Sequence, residues 1–378
     1  MLKLLLTLLL APLAVFAAGD EKDLAFPNLP YPITFTVNAA PKTGGVAYET
    51  RYSEAMERDY DTVLLQGLMP DPKLRLEVLA KGKTFFQAAS RYELDGFSRH
   101  PNGRFWARYK ATEPNRQPVR LSVVDLGLDK SGSELIIYST ELLLREELRE
   151  GEPAVSTAPY VPEADLAVPL DSPFTLVRRA EWQAKPPKEP FSRHAPYYFT
   201  LHHTQAHYPA TFDASLAEVR FIQDYHQNAK GWNDIGYHFL IDPQGNVFEG
   251  RPINVIGAHV LNRNSGNVGI SILGNYHPPS KDVFTPKTRD SFVTVARYVK
   301  DTYAVQVSSF FAHRDIGNSD CPGDNLYAKK GMLRDLIFAP AALDENLTPG
   351  NPVPTPAQAE ALRALYNRLN HPIEASPQ

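Results

Sequence analysis

The sequence has a single cysteine, Cys321, among 378 residues. No second thiol exists for it to pair with, so an intrachain disulfide is excluded. Beyond residue 16 no apolar run approaches the roughly 20 residues that a membrane-spanning helix needs, and no spanning segment is expected there. A basic excess is missing as well: 39 Lys and Arg stand against 43 Asp and Glu, a formal net charge of −4. That argues against a nucleic-acid partner, which would select a basic face. Internal repeats are absent, and the 33 prolines fall mostly in turns and in one segment near the middle of the chain.

What is present starts with "MLKLLLTLLLAPLAVFAAGD". One positive charge (Lys3) precedes an apolar run from Leu4 to Phe16, and small residues at Val15 and Ala17 suit a cleavage site. The run is too short to span a bilayer, so residues 1–18 are expected to be a signal peptide, cut near Ala17 or Ala18. No cysteine follows to carry a lipid anchor. The expectation is an exported, soluble, monomeric chain in the periplasm or outside the cell. The remaining length of about 360 residues exceeds the roughly 250–300 at which single cores stop growing, which predicts two domains. Hydrophobic content of 43% with 22% charged residues is ordinary for globular protein and provides core for both.

Within 19–144 the readable segments are short and β-rich: "ITFTV", "KLRLEVLA", "TFFQAASRYEL", "RFWARYKA", "VRLSVVDLG" and "ELIIYST", separated by turn residues. They predict an all-β sandwich or small barrel. Residues 145–173 are rich in Pro, Glu and Ala without period and read as a linker. From 174 to 338 strands alternate with helices. "YYFTLHH" is strand-like, and "DASLAEVRFIQDYHQN" has a capping-type Asp213 and Leu216, Val219 and Ile222 at helical spacing. "GYHFLIDPQGNVFEGR" is a hairpin turning at Pro243–Asn246. "TPKTRDSFVTVARYVKDTY" offers Thr285 as N-cap and Pro286 at the first helical position. The whole predicts an α/β domain with a mixed central sheet flanked by helices. The tail, 339–378, has one short helical stretch, Thr355 to Leu369, and no assigned role.

A lone thiol in an oxidising compartment is a liability unless it is buried or held as a thiolate. Cys321 therefore admits three readings: an inert buried thiol, a nucleophile activated by histidine, or a metal ligand. Its neighbours favour the metal. His313 precedes it by eight residues at the end of an apolar strand, and Pro-Gly after the Cys makes a loop able to fold back. His202 supplies a third donor, on the strand face it shares with Tyr198 and Thr200. Two His and one Cys with a fourth position open is the pattern of a catalytic zinc site.

The segments "VRRAEWQA", "LHHTQ", "KGWNDIGYHFLIDPQGNVFEGR", "VIGAHVLNRNSGNVGISILGNY" and "AHRDIGNSDCPGDNLY" closely resemble the peptidoglycan recognition proteins and type 2 N-acetylmuramoyl-L-alanine amidases. The resemblance spans about residues 174–338 and leaves the N-terminal region uncovered. It implies zinc ligands at His202, His313 and Cys321, the amidase type 2 fold, and a catalytic tyrosine at Tyr237. Two residues before the ligand Cys the family uses Lys or Thr; Ser319 stands here, able to donate a hydrogen bond but not a lysine's charge. In cytosolic relatives the strand matching "GISILG" carries a Glu, where this chain has Ser271. Recognition proteins that only bind have typically lost the ligand Cys, which this chain keeps.

The chemistry stands beside the resemblance: amide hydrolysis needs an activated water and a way to hold the oxyanion, and zinc supplies both. Tyr237 is assigned to orienting water and stabilising the oxyanion, Ser319 to a secondary hydrogen bond. His259 is expected to line the groove or to be structural, and Arg251 to approach the stem peptide's carboxylates or to be solvated. His203 and His238 face away by alternation and are expected to be structural. "GRPIN" replaces the family's "GRGWN", associated with diaminopimelate-type stems, which leaves the stem type open. Phe85, Phe86, Phe105, Trp106 and Tyr109 are expected mostly in the core, with sugar stacking in a wall-binding N-terminal domain as the alternative. The predicted activity is zinc-dependent cleavage between N-acetylmuramic acid and L-alanine, with peptidoglycan or muropeptides as partner. A non-catalytic recognition protein and a cysteine hydrolase are the competing readings.

Overall fold

A computed structural model describes residues 25–82, 88–128, 132–145, 168–169 and 172–339. The expected signal segment, most of the expected linker, the tail beyond 339, Phe85 and Phe86 lie outside the described residues.

The N-terminal unit is built from β1 (Ile33–Val37), β2 (Val46–Glu49), β3 (Tyr60–Leu68), β4 (Leu74–Ala80), β5 (Ser90–Arg91), β6 (Glu93–Arg99), β7 (Arg104–Asn115), β8 (Val119–Asp125) and β9 (Ser133–Leu143). They form two antiparallel sheets, in the orders β1-β9-β3-β7-β6 and β2-β8-β4-β5. The inner faces share one core, in which Phe35, Val63, Leu65, Phe105 and Tyr109 of the larger sheet meet Leu76, Val78, Leu121 and Val123 of the smaller. Each such side chain contributes about 1.5–3 kcal/mol on burial. β1 alternates buried and exposed as one covered face requires. β3 does not: Leu64 and Gln66, on its other face, are buried too, because a second layer covers that face.

That layer belongs to the C-terminal unit. Its strands are β10 (Leu176–Val177), β11 (Tyr198–His203), β12 (Phe239–Ile241), β13 (Val247–Glu249), β14 (Asn267–Ile272) and β15 (Phe310–Ala312). Its helices are α1 (Phe212–Asp224), α2 (Pro286–Tyr303), α3 (His313–Ile316), α4 (Asp324–Tyr327) and α5 (Lys330–Ile337), and α1 runs on into a π-helical turn, Tyr225–Ala229. The mixed sheet has the order β10-β13-β12-β14-β11-β15. β11, β14 and β15 run parallel and β12–β13 form the antiparallel hairpin. β11, β12, β13 and β14 are buried at every position, as strands covered on both faces must be. One face packs Phe199, Leu201, Ile270 and Ile272 against Phe292, Val295, Val299, Leu333 and Ile337 of α2 and α5. The other packs Leu240 and Phe248 against Val219 and Ile222 of α1.

Helix caps follow the sequence at α2, where Thr285 caps and Pro286 opens the helix. At α1 the cap is Thr211, whose hydroxyl accepts from Ala214 N, and Asp213 sits in the first turn instead, where its charge favours the helix N-terminus. Between β12 and β13, Asp242 accepts the amides of Gln244 and Asn246, and Gly245 takes φ +86°.

The outer face of the five-stranded sheet lies on α1. Leu64 and Trp106 pack against Phe221, Tyr225 and Ala229. Arg104 forks Glu218 through Nε (2.8 Å) and Nη2 (2.9 Å), and the indole of Trp106 donates to Asp224 at 2.8 Å. Trp106 is thus an interface residue, while Phe105 and Tyr109 lie in the core; sugar stacking by these three is ruled out. No helix among the described residues is long and apolar enough to cross a membrane.

Candidate metal centre

β11 and β15 are parallel neighbours, so the chain leaves both at the same edge of the sheet. His202 is near the end of β11, and His313 follows directly on β15 as the first residue of α3. Cys321 lies in the loop before α4, held there because Arg314 N donates to its carbonyl at 3.0 Å and its own amide donates to Ser319 Oγ at 3.1 Å. The donor atoms of these three residues lie within 4.8 Å of one another, and the residues are only 1%, 6% and 3% exposed. Cys321 Sγ is 3.6 Å from His202 Nδ1. Two donors on one tetrahedral zinc, at about 2.0 and 2.3 Å, stand roughly 3.5 Å apart, so this spacing fits the ion.

Hydrogen bonding fixes which nitrogen of His202 is available. His259 Nε2 lies 3.2 Å from the carbonyl of Asn267, which only accepts, so that nitrogen carries the proton. In the neutral ring, Nδ1 of His259 is then an acceptor, and it takes the Nε2–H of His202 at 3.0 Å. His202 Nδ1 keeps its lone pair and faces the sulfur. Both rings are held neutral: burial, reinforced by neighbouring His313 and His259, pushes His202 well below the usual imidazole range, and burial takes His259 to about 3. Neutral imidazole is the metal-binding form. The backbone amide of His203 donates to Cys321 Sγ at 3.4 Å, which favours a thiolate. A neutral His202 with a free lone pair, beside His313 and a sulfur that accepts a backbone amide, therefore fits a zinc ion.

His259 takes the structural one of its two expected roles. It is buried behind His202 rather than in a groove, close enough that a Cβ on Gly257 or Gly269 would approach its ring to 2.6 or 2.7 Å. It is an orienting residue of the kind that fixes a ligand's tautomer. Arg251 departs from both roles expected of it. Its guanidinium is buried and donates to the carbonyls of Ile235 (2.7 Å), Ile256 (2.9 Å) and Asp234 (3.3 Å), so it clamps the loop around Tyr237 and does not reach a substrate.

Tyr237 is partly exposed, its ring 5.3 Å from that of His202. Its backbone is pinned on both sides, since Gly236 N donates to His226 Nδ1 (3.0 Å) and the Tyr237 carbonyl accepts from Arg251 N (2.8 Å). Ser319 accepts the Cys321 amide and retains its own hydroxyl proton to donate. Ser271 pairs with His202 across β14 and β11 and is fully buried, its hydroxyl without a hydrogen-bond partner. His238 is fully engaged, accepting from Gly269 N and bonding the Val255 carbonyl. His203 accepts from Tyr276 N, and burial takes it to about 3.

Two residues beside Tyr237 are absent from the expected site. His226, whose ring is 5.7 Å from that of Tyr237, falls four and seven residues after the helical markers Ile222 and Val219 in a phase that could have shown it. Lys230 is 4% exposed, and nothing local in the sequence distinguishes it from a surface lysine.

The mixed sheet thus brings two imidazoles and a thiol to one strand edge, with a tyrosine beside them. The family described as N-acetylmuramoyl-L-alanine amidase matches residues 192–324, which hold all three cluster residues. Peptidoglycan-recognition protein SC2 of Drosophila simulans is 38% identical over 160 residues, covering 40% of this chain and 83% of that protein. Human N-acetylmuramoyl-L-alanine amidase is 35% identical over 173 residues, 44% of this chain and 28% of that protein. Among solved structures, wild-type Drosophila PGRP-LB is 31% identical and covers 41% of this chain and 91% of its own, with a TM-score of 0.36. The chain belongs to the family of peptidoglycan recognition proteins and type 2 N-acetylmuramoyl-L-alanine amidases.

Proposed function

We propose that the chain is an exported, zinc-dependent amidase that cleaves between N-acetylmuramic acid and the L-alanine of the stem peptide, in the periplasm or outside the cell. The observation that carries this reading is the convergence of the His202, His313 and Cys321 donor atoms within 4.8 Å. Zinc bound there supplies a Lewis acid that activates water and polarises the scissile carbonyl. The protein's own residues do the rest. His259 keeps the His202 lone pair aimed at the ion. Tyr237 donates its hydroxyl to the oxygen on which charge develops, a contact worth about 10²–10³ in rate in comparable sites. Ser319 adds a second donor. The relatives called recognition proteins support a binding-only alternative; the retained Cys321, set among the other donors, weighs for the enzyme.

Mass spectrometry of soluble products from purified peptidoglycan tests the reading. Free stem peptides beginning at L-alanine, lost on chelation and restored by zinc, are expected. Tight wall binding with no release in either condition would leave recognition alone.

A further inference from the structure

The π-helical turn Tyr225–Ala229 at the end of α1 is gripped from the N-terminal sheet. Such turns are rare and occur frequently at functional sites. The last carbonyls of a helix have no partner within it, and two of them, of Asn228 and Ala229, accept from Arg108 Nη1 of β7 at 3.1 and 2.8 Å. Arg108 is aimed by its own unit, where Asp95 of β6 takes its Nε at 2.8 Å. Glu141 of β9 holds the two ends of the turn, accepting from the Tyr225 hydroxyl at 2.6 Å and from Lys230 Nζ at 2.8 Å. Resting on the amidase reading, we propose that Arg108 and Glu141 are positioning residues through which the N-terminal sheet sets the place of Tyr237 at the metal centre.

The path from the sheet to the tyrosine is short. Within the turn, His226 accepts the Gly236 amide on Nδ1 at 3.0 Å, one residue before Tyr237. Its carbonyl takes the Trp232 amide at 2.9 Å, and its ring lies 4.6 Å from that of Trp232 and 5.7 Å from that of Tyr237. The imidazole is buried, and packed interiors transmit displacement, so a shift of the turn carries Gly236 and Tyr237 with it. The sheet is also close to the tyrosine itself. The gap between them is about 30 Å³, room for about one water, with Ser139 and Glu141 on its far side. Placement matters because an error of about 1 Å at a reacting centre costs up to about 10²-fold in rate.

The test uses the full chain labelled with 3-fluorotyrosine, the signal of Tyr237 being identified by its loss in Tyr237→Phe. Fluorine NMR needs no turnover. Arg108→Met keeps the apolar stem and removes the donors; the Tyr237 signal should shift or broaden while metal analysis finds zinc retained. On a muropeptide, kcat is expected to fall about ten-fold with KM within about two-fold, a smaller loss than deleting the hydroxyl itself causes. Arg108→Lys, which keeps a donor, should recover part of it. Adding Arg108→Met to Tyr237→Phe should cost nothing further, because the group being positioned is gone; a merely structural Arg108 would lower kcat by the same factor in both backgrounds. Glu141→Gln, which removes the charge facing Lys230, should move the same fluorine signal. A parent that releases no stem peptide fails the amidase reading alone, and the fluorine signal then decides this one. A signal unmoved in both variants, or equal falls of kcat in both backgrounds, overturns the proposal.

Discussion

Replacing Arg104 by Met isolates one charge at the seam between the two units. Arg104 and Glu218 are both 0% exposed. The guanidinium forks the carboxylate at 2.8 and 2.9 Å and reaches Gln66 Oε1 at 3.0 Å and the Gly67 carbonyl. It also lies over Phe221 at 3.8 Å and Tyr138 at 4.8 Å. Methionine keeps most of the apolar stem contact, so the loss reports the charge. An uncompensated carboxylate buried this deeply costs about 3–5 kcal/mol, which lowers Tm on the order of 10 °C. The double variant Arg104→Met, Glu218→Leu removes both charges and should regain most of that loss, since apolar replacement of a buried pair is often near neutral. Thermal and urea unfolding of the parent, both singles and the double complete the cycle. A single variant within about 1 kcal/mol of the parent, or a double as unstable as the two singles combined, would refute a buried, mutually dependent pair.

Tyr237→Phe should retain zinc, measured by metal analysis, while turnover falls about 10²–10³-fold; loss of the metal with the hydroxyl would make Tyr237 structural. His259→Ala strands the His202 Nε2–H and should lower zinc affinity about 10–100-fold, read by competition with a chelating dye, and an unchanged affinity would sink its orienting role. Stability should fall with acidification. Burial holds His226 and His238 well below the ordinary value of 6.5, so below that pH the unfolded chain binds protons that the folded chain refuses. Each such proton removes about 1.4 kcal/mol per pH unit, and a Tm that stays flat from pH 7 to 5 would contradict this.

The sequence speaks most clearly where a feature is local. Strand alternation separates His202 from His203, and Thr285-Pro286 marks the start of α2, because caps and pleats depend on neighbours in the chain. Asp213 is a fair cap by type, but the helix is capped two residues earlier, where the Thr211 hydroxyl accepts from Ala214 N. Arg251 looked free to meet a carboxylate because sequence displays charge and hides backbone carbonyls. His259 lies 57 residues from the imidazole it orients, and Glu141 lies 89 from Lys230; no period connects positions so far apart. The unbroken burial of Val63 to Gly67 in β3 shows that the N-terminal sheet is covered on both faces, and the cover, α1, lies more than 140 residues further along the chain.

α1 has a sheet on either side, and its buried Glu218, Phe221 and Asp224 face the N-terminal one. Cutting the chain between the units would therefore strand an acidic, aromatic helix face in water, and the C-terminal half expressed alone should be prone to stick to itself. The same seam removes any leash. A unit on a loose tether can sweep the space around its anchor, whereas the contacts along this seam hold the C-terminal unit against its partner sheet.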